Sequence, residues 1–278
     1  MRREFTNTLC LIIAILLAMP NRVPAAAQEP KLGKEHHVWA RFQPGAWKKV
    51  RVTTETLDEQ GNVTSTSVTD NMSVLEEITD QAYHLRVEVT VEVAGKKFDA
   101  EPQYIVQGYF GEAEGQPSVV TPGAASTVSI EERRINCQTF TVETTEEDKK
   151  RISKIYYAAT VEPFLLRKDS VTTDPTGKNT LYETTETVVA MDMPHKVLND
   201  IKTTAVLKTV RKNAKGTTVT LAVYAPGVPG GVISHTSKEL DANGRIIRRS
   251  TLELVDYGLE GEDRLIRRRP FGKRNRRR

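Results

Sequence analysis

Hydrophobic and polar residues alternate with a period of two along much of this chain. In the clearest stretch the apolar positions are Tyr83, Leu85, Val87, Val89, Val91 and Val93, and mostly polar residues lie between them. Successive side chains of a strand point to opposite faces, so this alternation predicts a long strand with one buried face and one solvated face.

Similar strands are predicted at 50–52, 140–143, 154–158, 164–171, 181–191, 205–212, 217–224, 232–240 and 245–257, where threonine and valine are frequent. Most of the connections are short and rich in Gly, Asp, Asn or Pro, as in hairpin turns. The pattern predicts a mainly β fold with few short helices. We expect an antiparallel, strongly curved sheet or an unclosed β-barrel built from repeated hairpins.

Helical segments are predicted at only two places. Residues 146–155 are charged and free of Gly and Pro, although they also suit a hairpin tip, and residues 192–201 have Pro194 near their start. Residues 111–126 are rich in Gly, Pro, Ser and Ala and predict a long loop. That loop divides the body, residues 28–263, into parts of about 36–110 and 127–260. The two parts form either two sub-units or one extended β-architecture.

One segment of the sequence occurs twice at an offset of 67 residues. The first copy runs from Tyr157 to the turn at Asp174 and Gly177, and the second from Tyr224 to Asp241 and Gly244. The turn alone occurs a third time near Asp58. Aspartate can accept backbone N–H groups across a turn, and glycine adopts positive φ without strain. The repeat therefore predicts a duplicated hairpin scaffold and needs no catalytic role.

The N-terminus has the three parts of a secretory signal peptide. Arg2 and Arg3 precede an apolar stretch from Leu9 to Met19, and Ala25 and Ala27 fit a cleavage site before Gln28. The apolar stretch is too short to cross a bilayer, which needs ~20 residues. We expect residues 1–27 to be removed and the protein to be exported to the periplasm or outside a bacterial cell. The mature chain then holds a single cysteine, Cys137, which we interpret as a small buried hydrophobe.

The charge is concentrated at the C-terminus. Residues 264–278 include nine basic residues and no acidic one, whereas the body carries a net charge of about −7. We expect a disordered tail that contacts an anionic membrane surface or envelope polymer, or that simply remains solvated. Export makes nucleic acid the least expected partner, and the sequence does not set the oligomeric state. The residues expected to contact the anionic surface are Arg267, Arg268, Arg269, Lys273, Arg274, Arg276, Arg277 and Arg278.

No catalytic, cofactor or metal motif is present. The five histidines lack neighbours at ligand spacing, and the sequence contains no nucleophile elbow, phosphate-binding loop or zinc-protease motif. We therefore predict a protein that is not an enzyme and has no cofactor or metal. A hydrolase would require Cys137 or a serine within hydrogen-bond reach of a histidine.

Aromatic residues are the candidate ligand-binding groups. A curved sheet with one apolar face must cover that face, close, or present it to a ligand. The aromatics could line such a concavity or merely fill a core. The candidates are Trp39, Phe42, Trp47, Tyr104, Tyr109 and Phe110.

The chain also resembles a known type of exported protein. The series from Cys137 through Lys154-Ile155-Tyr156-Tyr157 to Leu165-Leu166-Arg167, with Phe42-x-x-Gly45-x-Trp47 at the start, resembles exported bacterial β-proteins. Those are similar in design to the periplasmic lipoprotein-carrier (LolA/LolB-like) superfamily. The resemblance implies an unclosed β-barrel with an apolar concavity and, by analogy, a hydrophobic ligand. We expect a binding protein of the cell envelope, or alternatively a structural protein tethered by the basic tail.

Overall fold

The computed structural model describes residues 32–93, 95–113, 115–116, 118–146 and 148–259. The predicted signal peptide and basic tail lie outside these residues. The described part has one short 3₁₀ helix, Lys34–His36, and fourteen strands. The strands are β1 (Trp47–Leu57), β2 (Val63–Ile78), β3 (Ala82–Val93), β4 (Lys96–Asp99), β5 (Gln103–Gly108), β6 (Ser118–Ile130), β7 (Arg133–Thr145), β8 (Lys150–Tyr157), β9 (Leu165–Thr173), β10 (Thr180–Val197), β11 (Asp200–Asn213), β12 (Gly216–Tyr224), β13 (Val232–Asp241) and β14 (Ile246–Gly258).

All fourteen strands belong to one antiparallel sheet. Its order is β4-β3-β2-β1-β14-β13-β12-β11-β10-β9-β8-β7-β6, and β5 pairs with β3 beyond the end of β4. The first strand therefore pairs with the last, and no ladder joins β6 to β4 or β5. The predicted fold class, a mainly β and unclosed antiparallel sheet, is confirmed.

The predicted repeat extends further in the structure than in the sequence. Ala158 N donates to Phe164 O over 2.9 Å, and at the 67-residue offset Ala225 N donates to Gly231 O over 2.8 Å. Leu166 and Ile233 are equivalent, and each is buried at a register shift. Strands β6–β9 thus correspond to strands β10–β13.

The Asp-Gly turns have the chemistry that the sequence predicts. Asp58 Oδ1 accepts the backbone N–H groups of Gln60 and Asn62, and Asp241 Oδ1 accepts those of Asn243 and Arg245. Gly61, Gly177 and Gly244 have φ values of 84°, 74° and 82°. All three turns lie at one end of the sheet, which we call the turn end, since β1, β9 and β13 all run towards it.

Two predictions of local structure are wrong, and one ambiguity is resolved. The predicted loop 111–126 contains the first nine of the thirteen residues of β6, because a strand with its register shifted between Pro122 and Ala125 tolerates Pro and Gly. The predicted helix 192–201 is the β10–β11 hairpin, since pairing with the neighbouring strands overrides local propensity. Residues 150–155 lie in strand β8 and not in a helix.

Residues 38–46 pack against the strand end opposite the turn end, and we call it the packed end. Trp39 lies in a cluster with Leu75, Tyr83 and Leu85, whereas Leu32 lies with Phe140, Val142 and Ile155. The N-terminal segment thus fills the same face of the sheet at β2–β3 and at β7–β8. We call this face the inner face.

Candidate functional site

Three successive rows of side chains cross the inner face between the packed end and the turn end. Each row follows direct register partners from strand to strand, so its members share one face. Moving from the packed end to the turn end, the rows change from apolar to hydroxyl-bearing to charged. This gradation is the main chemical feature of the site.

The first row is mainly apolar. It consists of Val188, Leu207, Ala222, His235, Leu252, Val52, Thr69, Val91 and Phe98. Val188 is buried in the core, the side chains from Leu207 to Val91 are half-buried, and Phe98 at the sheet edge is exposed. A continuous apolar band that keeps partial access to solvent can contact an apolar chain.

The second row carries hydroxyl groups on six neighbouring strands. Its members there are Thr209, Thr220, Ser237, Ser250, Thr54 and Ser67. Thr220 Oγ1 donates to Ser237 Oγ over 2.9 Å. The row continues towards the part of the inner face that the N-terminal segment covers. Its members there are Glu186, Lys168, Ile155 and Phe140.

The third row adds charge near the turn end. Arg211, Thr218, Glu239 and Arg248 are direct neighbours in it. Arg248 Nη1 lies 3.4 Å from Glu239 Oε2, and the Arg211 guanidinium lies 3.8 Å from the centroid of the Tyr182 ring. A cavity of about 270 Å³ is lined by Thr54, Thr218, Ser237, Glu239, Arg248, Arg249 and Ser250.

We call the half-open part of these rows on β11–β14, β1 and β2 the trough. Its side chains alternate in exposure with those of the outer face: Ser237 and Glu239 are half-buried, whereas Thr236 and Lys238 are exposed. The outer face carries ion pairs such as Arg51 with Asp70 and Arg249 with Glu55. Both faces therefore carry ion pairs, and the row of hydroxyl groups distinguishes the trough.

The aromatic residues predicted as ligand contacts are placed mostly in the packed part. Trp39 and Tyr109 are buried together with Phe42 at their edge, and Phe110 packs in the neighbouring cluster. Trp47 is buried beside Gly258, and Tyr104 on β5 is 70% exposed. The structure thus brings three of the six residues into one cluster, and their role in binding stays a prediction.

A buried polar cluster lies between the N-terminal segment and the loop that follows β5. The His36 ring stacks on Phe110 at 5.4 Å between centroids, and the His37 ring lies 4.4 Å from that of Tyr83. Burial lowers the pKa of His36 and of His37 to about 4, and burial raises the pKa of Tyr83 to about 12. Burial also lowers the pKa of Lys168, which acts electrostatically on both histidines. Both histidines and the Tyr83 hydroxyl therefore favour their neutral forms at neutral pH.

A second cavity, of about 730 Å³, opens beside this cluster. Tyr109, Phe110 and Glu112 line it from the loop, and Glu77, Asp80 and His84 line it from the β2–β3 hairpin. Its polar groups are largely occupied: Glu112 accepts from Phe110 N and Ser118 Oγ, and Asp80 pairs with Lys34. We therefore regard the trough as the better candidate site.

The structure contains little that suggests catalysis or metal binding in the part that it describes. Among the described residues no group of three or more His, Cys, Asp or Glu side chains is arranged to hold a metal ion. The Cys137 thiol contacts Ser126 O at 3.5 Å, and burial raises the pKa of this thiol, which disfavours the thiolate. No described helix is long and apolar enough to cross a membrane.

Sequence reasoning did not identify the trough. A signal for it existed, since hydroxyl side chains occur at alternate positions in Thr54 and Thr56, Ser65 and Ser67, and Thr218 and Thr220. However, only the register places these pairs side by side on one face.

Comparisons with known proteins add little. No protein-family model matches the sequence, and no curated protein matches it either. A solved structure described as "a putative lipoprotein from Parabacteroides distasonis" has 12% identity and a TM-score of 0.34, with 80% of this chain and 98% of that chain covered. Another, described as "a putative exported protein with YmcC-like fold" from Bacteroides fragilis, has 10% identity and a TM-score of 0.32, with 78% and 97% covered. At this level of similarity we transfer neither fold nor function, and the resemblance to the lipoprotein carriers stays a prediction.

Proposed function

We propose that this chain is an exported, non-enzymatic binding protein of the bacterial cell envelope that holds an elongated amphipathic ligand in the trough. The observation that carries the proposal is the change from an apolar row to a hydroxyl row to a charged row across the same strands. An apolar chain lies along Leu207, Ala222 and Leu252, and the polar head lies at Arg211 and Arg248. The signal-peptide pattern in residues 1–27 supports export.

The geometry favours a ligand with both apolar and polar parts over a purely apolar one. A hydrocarbon alone would leave the hydroxyl groups of Thr220 and Ser237 without solvent and without new partners, which is unfavourable. A hydroxylated or anionic head group would instead accept or donate hydrogen bonds in that row and interact with the two arginines.

A matched pair of variants on one strand tests this proposal. Ser237→Trp places a large side chain in the trough, whereas Lys238→Trp places the same side chain on the outer face. We expect native mass spectrometry of the purified exported protein to detect a retained lipid in the wild type and in Lys238→Trp. The lipid should be absent from Ser237→Trp. Absence of ligand from all three proteins, or equal retention in all three, would contradict the proposal.

A second function, attachment to an anionic envelope surface, is supported by the position where the described chain ends. Tyr257, near the end of β14, lies beside the β10–β11 hairpin, and the nine basic residues of 264–278 follow it in the sequence. Deleting residues 264–278 should abolish salt-sensitive binding to anionic vesicles. Unchanged binding would rule this function out.

A further inference from the structure

Two hairpin tips at the packed end are structural copies of each other. The β6–β7 tip turns between Ile130 and Arg133, and the β10–β11 tip turns between Val197 and Asp200, each at the 67-residue offset. Both turns hold their first residue at positive φ, 53° for Glu131 and 55° for Leu198. Ile130 and Val197, which precede these residues, are both buried. The two tips therefore share the same turn, in which a buried residue is followed by a residue at positive φ.

Their exposed side chains differ in chemistry. Glu131 and Arg134 in the first tip correspond to Leu198 and Ile201 in the second. Ile201 is 79% exposed and Leu198 is 38% exposed. Positive φ in a two-residue hairpin turn favours Asn, Asp or Gly, so a leucine there is unfavourable for the fold. An exposed leucine at such a position, with the exposed Ile201 close to it in the same hairpin, indicates a contact with another surface.

The apolar tip lies beside the point where the described chain ends. Val197 packs in one cluster with Leu254 and Tyr257. Lys202 Nζ lies 5.8 Å from the centroid of the Tyr257 ring. Leu259, two residues further on and the last described residue, is 53% exposed. The basic sequence 264–278 thus begins five residues beyond an exposed apolar surface.

The charges around the β10–β11 tip favour a contact with an anionic surface. Residues 193–202 include Lys196 and Lys202 and a single acidic residue, Asp200. Exposed apolar side chains with flanking lysines are typical of segments that lie in the interface of a bilayer. One weak apolar contact does not anchor a protein stably, but an apolar contact combined with a polybasic segment does.

We propose that the β10–β11 tip inserts Leu198 and Ile201 into the surface of an anionic phospholipid bilayer. The inference rests on the proposed attachment to an anionic surface and specifies that surface as a lipid bilayer. It also orients the molecule with its packed end towards the membrane and its turn end away from it.

Binding to vesicles of phosphatidylglycerol and phosphatidylethanolamine tests the inference. Leu198→Glu/Ile201→Arg gives the apolar tip the residues of its structural copy and leaves the net charge unchanged. We expect this double variant to bind about tenfold more weakly, because the apolar transfer energy of two side chains is lost. As a control, Val119→Glu/Val171→Arg replaces exposed valines near the turn end and should bind as the wild type does.

Fluorescence quenching by brominated lipids gives a second readout that does not depend on weakened binding. Tryptophan in Ile201→Trp should be quenched, whereas tryptophan near the turn end, in Val171→Trp, should not. The buried Trp39 and Trp47 contribute equally to both signals. Equal quenching, or equal affinity of the tip variant and the wild type, would overturn the inference. If deletion of 264–278 still abolishes binding in that case, the attachment itself stands; if the wild type binds no vesicles, both proposals fail.

Discussion

At the scale of single residues, the contact between Gly108 and Glu112 shows how a buried carboxylate is held. Glu112 is buried, and its carboxylate accepts hydrogen bonds from Phe110 N at 2.9 Å and Ser118 Oγ at 3.3 Å. A Cβ atom on Gly108 would lie 2.1 Å from this carboxylate. A side chain at position 108 would therefore have to displace the Glu112 carboxylate.

The substitution Gly108→Ala should therefore lower the free energy of unfolding. The added methyl group displaces Glu112 from its two hydrogen bonds, and a buried group without partners costs about 1–3 kcal/mol. Gly227→Ala is the matched control, since a Cβ at Gly227 meets no atom within 4 Å. Urea unfolding of both variants measures the difference, and equal midpoints would contradict this account.

At the scale of elements, the duplication creates two equivalent pairs of hydroxyl groups in different surroundings. Ser153 Oγ lies 2.9 Å from Ser170 Oγ, and at the 67-residue offset Thr220 Oγ1 lies 2.9 Å from Ser237 Oγ. Ser153 and Ser170 are buried, whereas Thr220 and Ser237 are half-buried in the trough. The same strand pairing thus supports a closed core in one copy and an accessible surface in the other.

We expect Ser170→Ala to destabilise the protein more than Ser237→Ala does. The first substitution leaves the buried Ser153 hydroxyl without its partner, at a cost of about 1–3 kcal/mol, whereas water can replace the partner of Thr220. The double variant Ser153→Ala/Ser170→Ala should recover part of the loss, because no unpaired hydroxyl remains. Thermal unfolding of the three variants provides the measurement. A larger effect at Ser237 would show that the trough is not open to water.

At the scale of the whole molecule, the N-terminal segment joins distant parts of the sheet through the buried His36 and the half-buried His37. His36 packs on Phe110, and His37 packs on Tyr83 and Tyr109. Lys168 on β9 and Glu35 are the charged groups that act on His36. His36 Nδ1 is buried and has no hydrogen-bond partner. Protonation of either ring would therefore place a charge in an unfavourable environment.

Stability should fall as the pH is lowered from about 6.5 to about 4. The folded-state pKa of both histidines is lowered to about 4 from the usual 6.5. Over this range the unfolded chain binds protons that the folded chain does not. The stabilisation is thus complete above pH 6.5 and decreases with acid, by roughly 3 kcal/mol for each histidine.

A variant that keeps the stacking contact isolates this effect. His36→Phe retains a ring on Phe110 and removes one titrating group, so its unfolding free energy should fall less steeply between these pH values. Parallel curves for His36→Phe and the wild type would show that His36 does not carry the pH dependence.

The sequence predicted the strands and turns because their causes are local. Period-two alternation identified β3 almost to the residue, as Ala82–Val93, and the Asp-Gly turns behave as their side-chain chemistry requires. Residues 192–201 were predicted wrongly because a Pro-containing polar stretch has no strong local preference. Their pairing in the β10–β11 hairpin determined their structure.

By itself, then, the sequence determined the fold class, the duplicated scaffold and the uneven distribution of charge. The tertiary structure alone decided which residues share a surface. Register placed Thr54, Ser250, Ser237 and Thr220 side by side although they are distant in the chain, and it paired β1 with β14. The tertiary packing also placed Trp39 and Tyr109 in the core, where the sequence allowed either a core or a ligand surface. The physical reason is that alternation fixes which side chains of a strand face together, whereas strand order and register depend on the packing of the complete sheet.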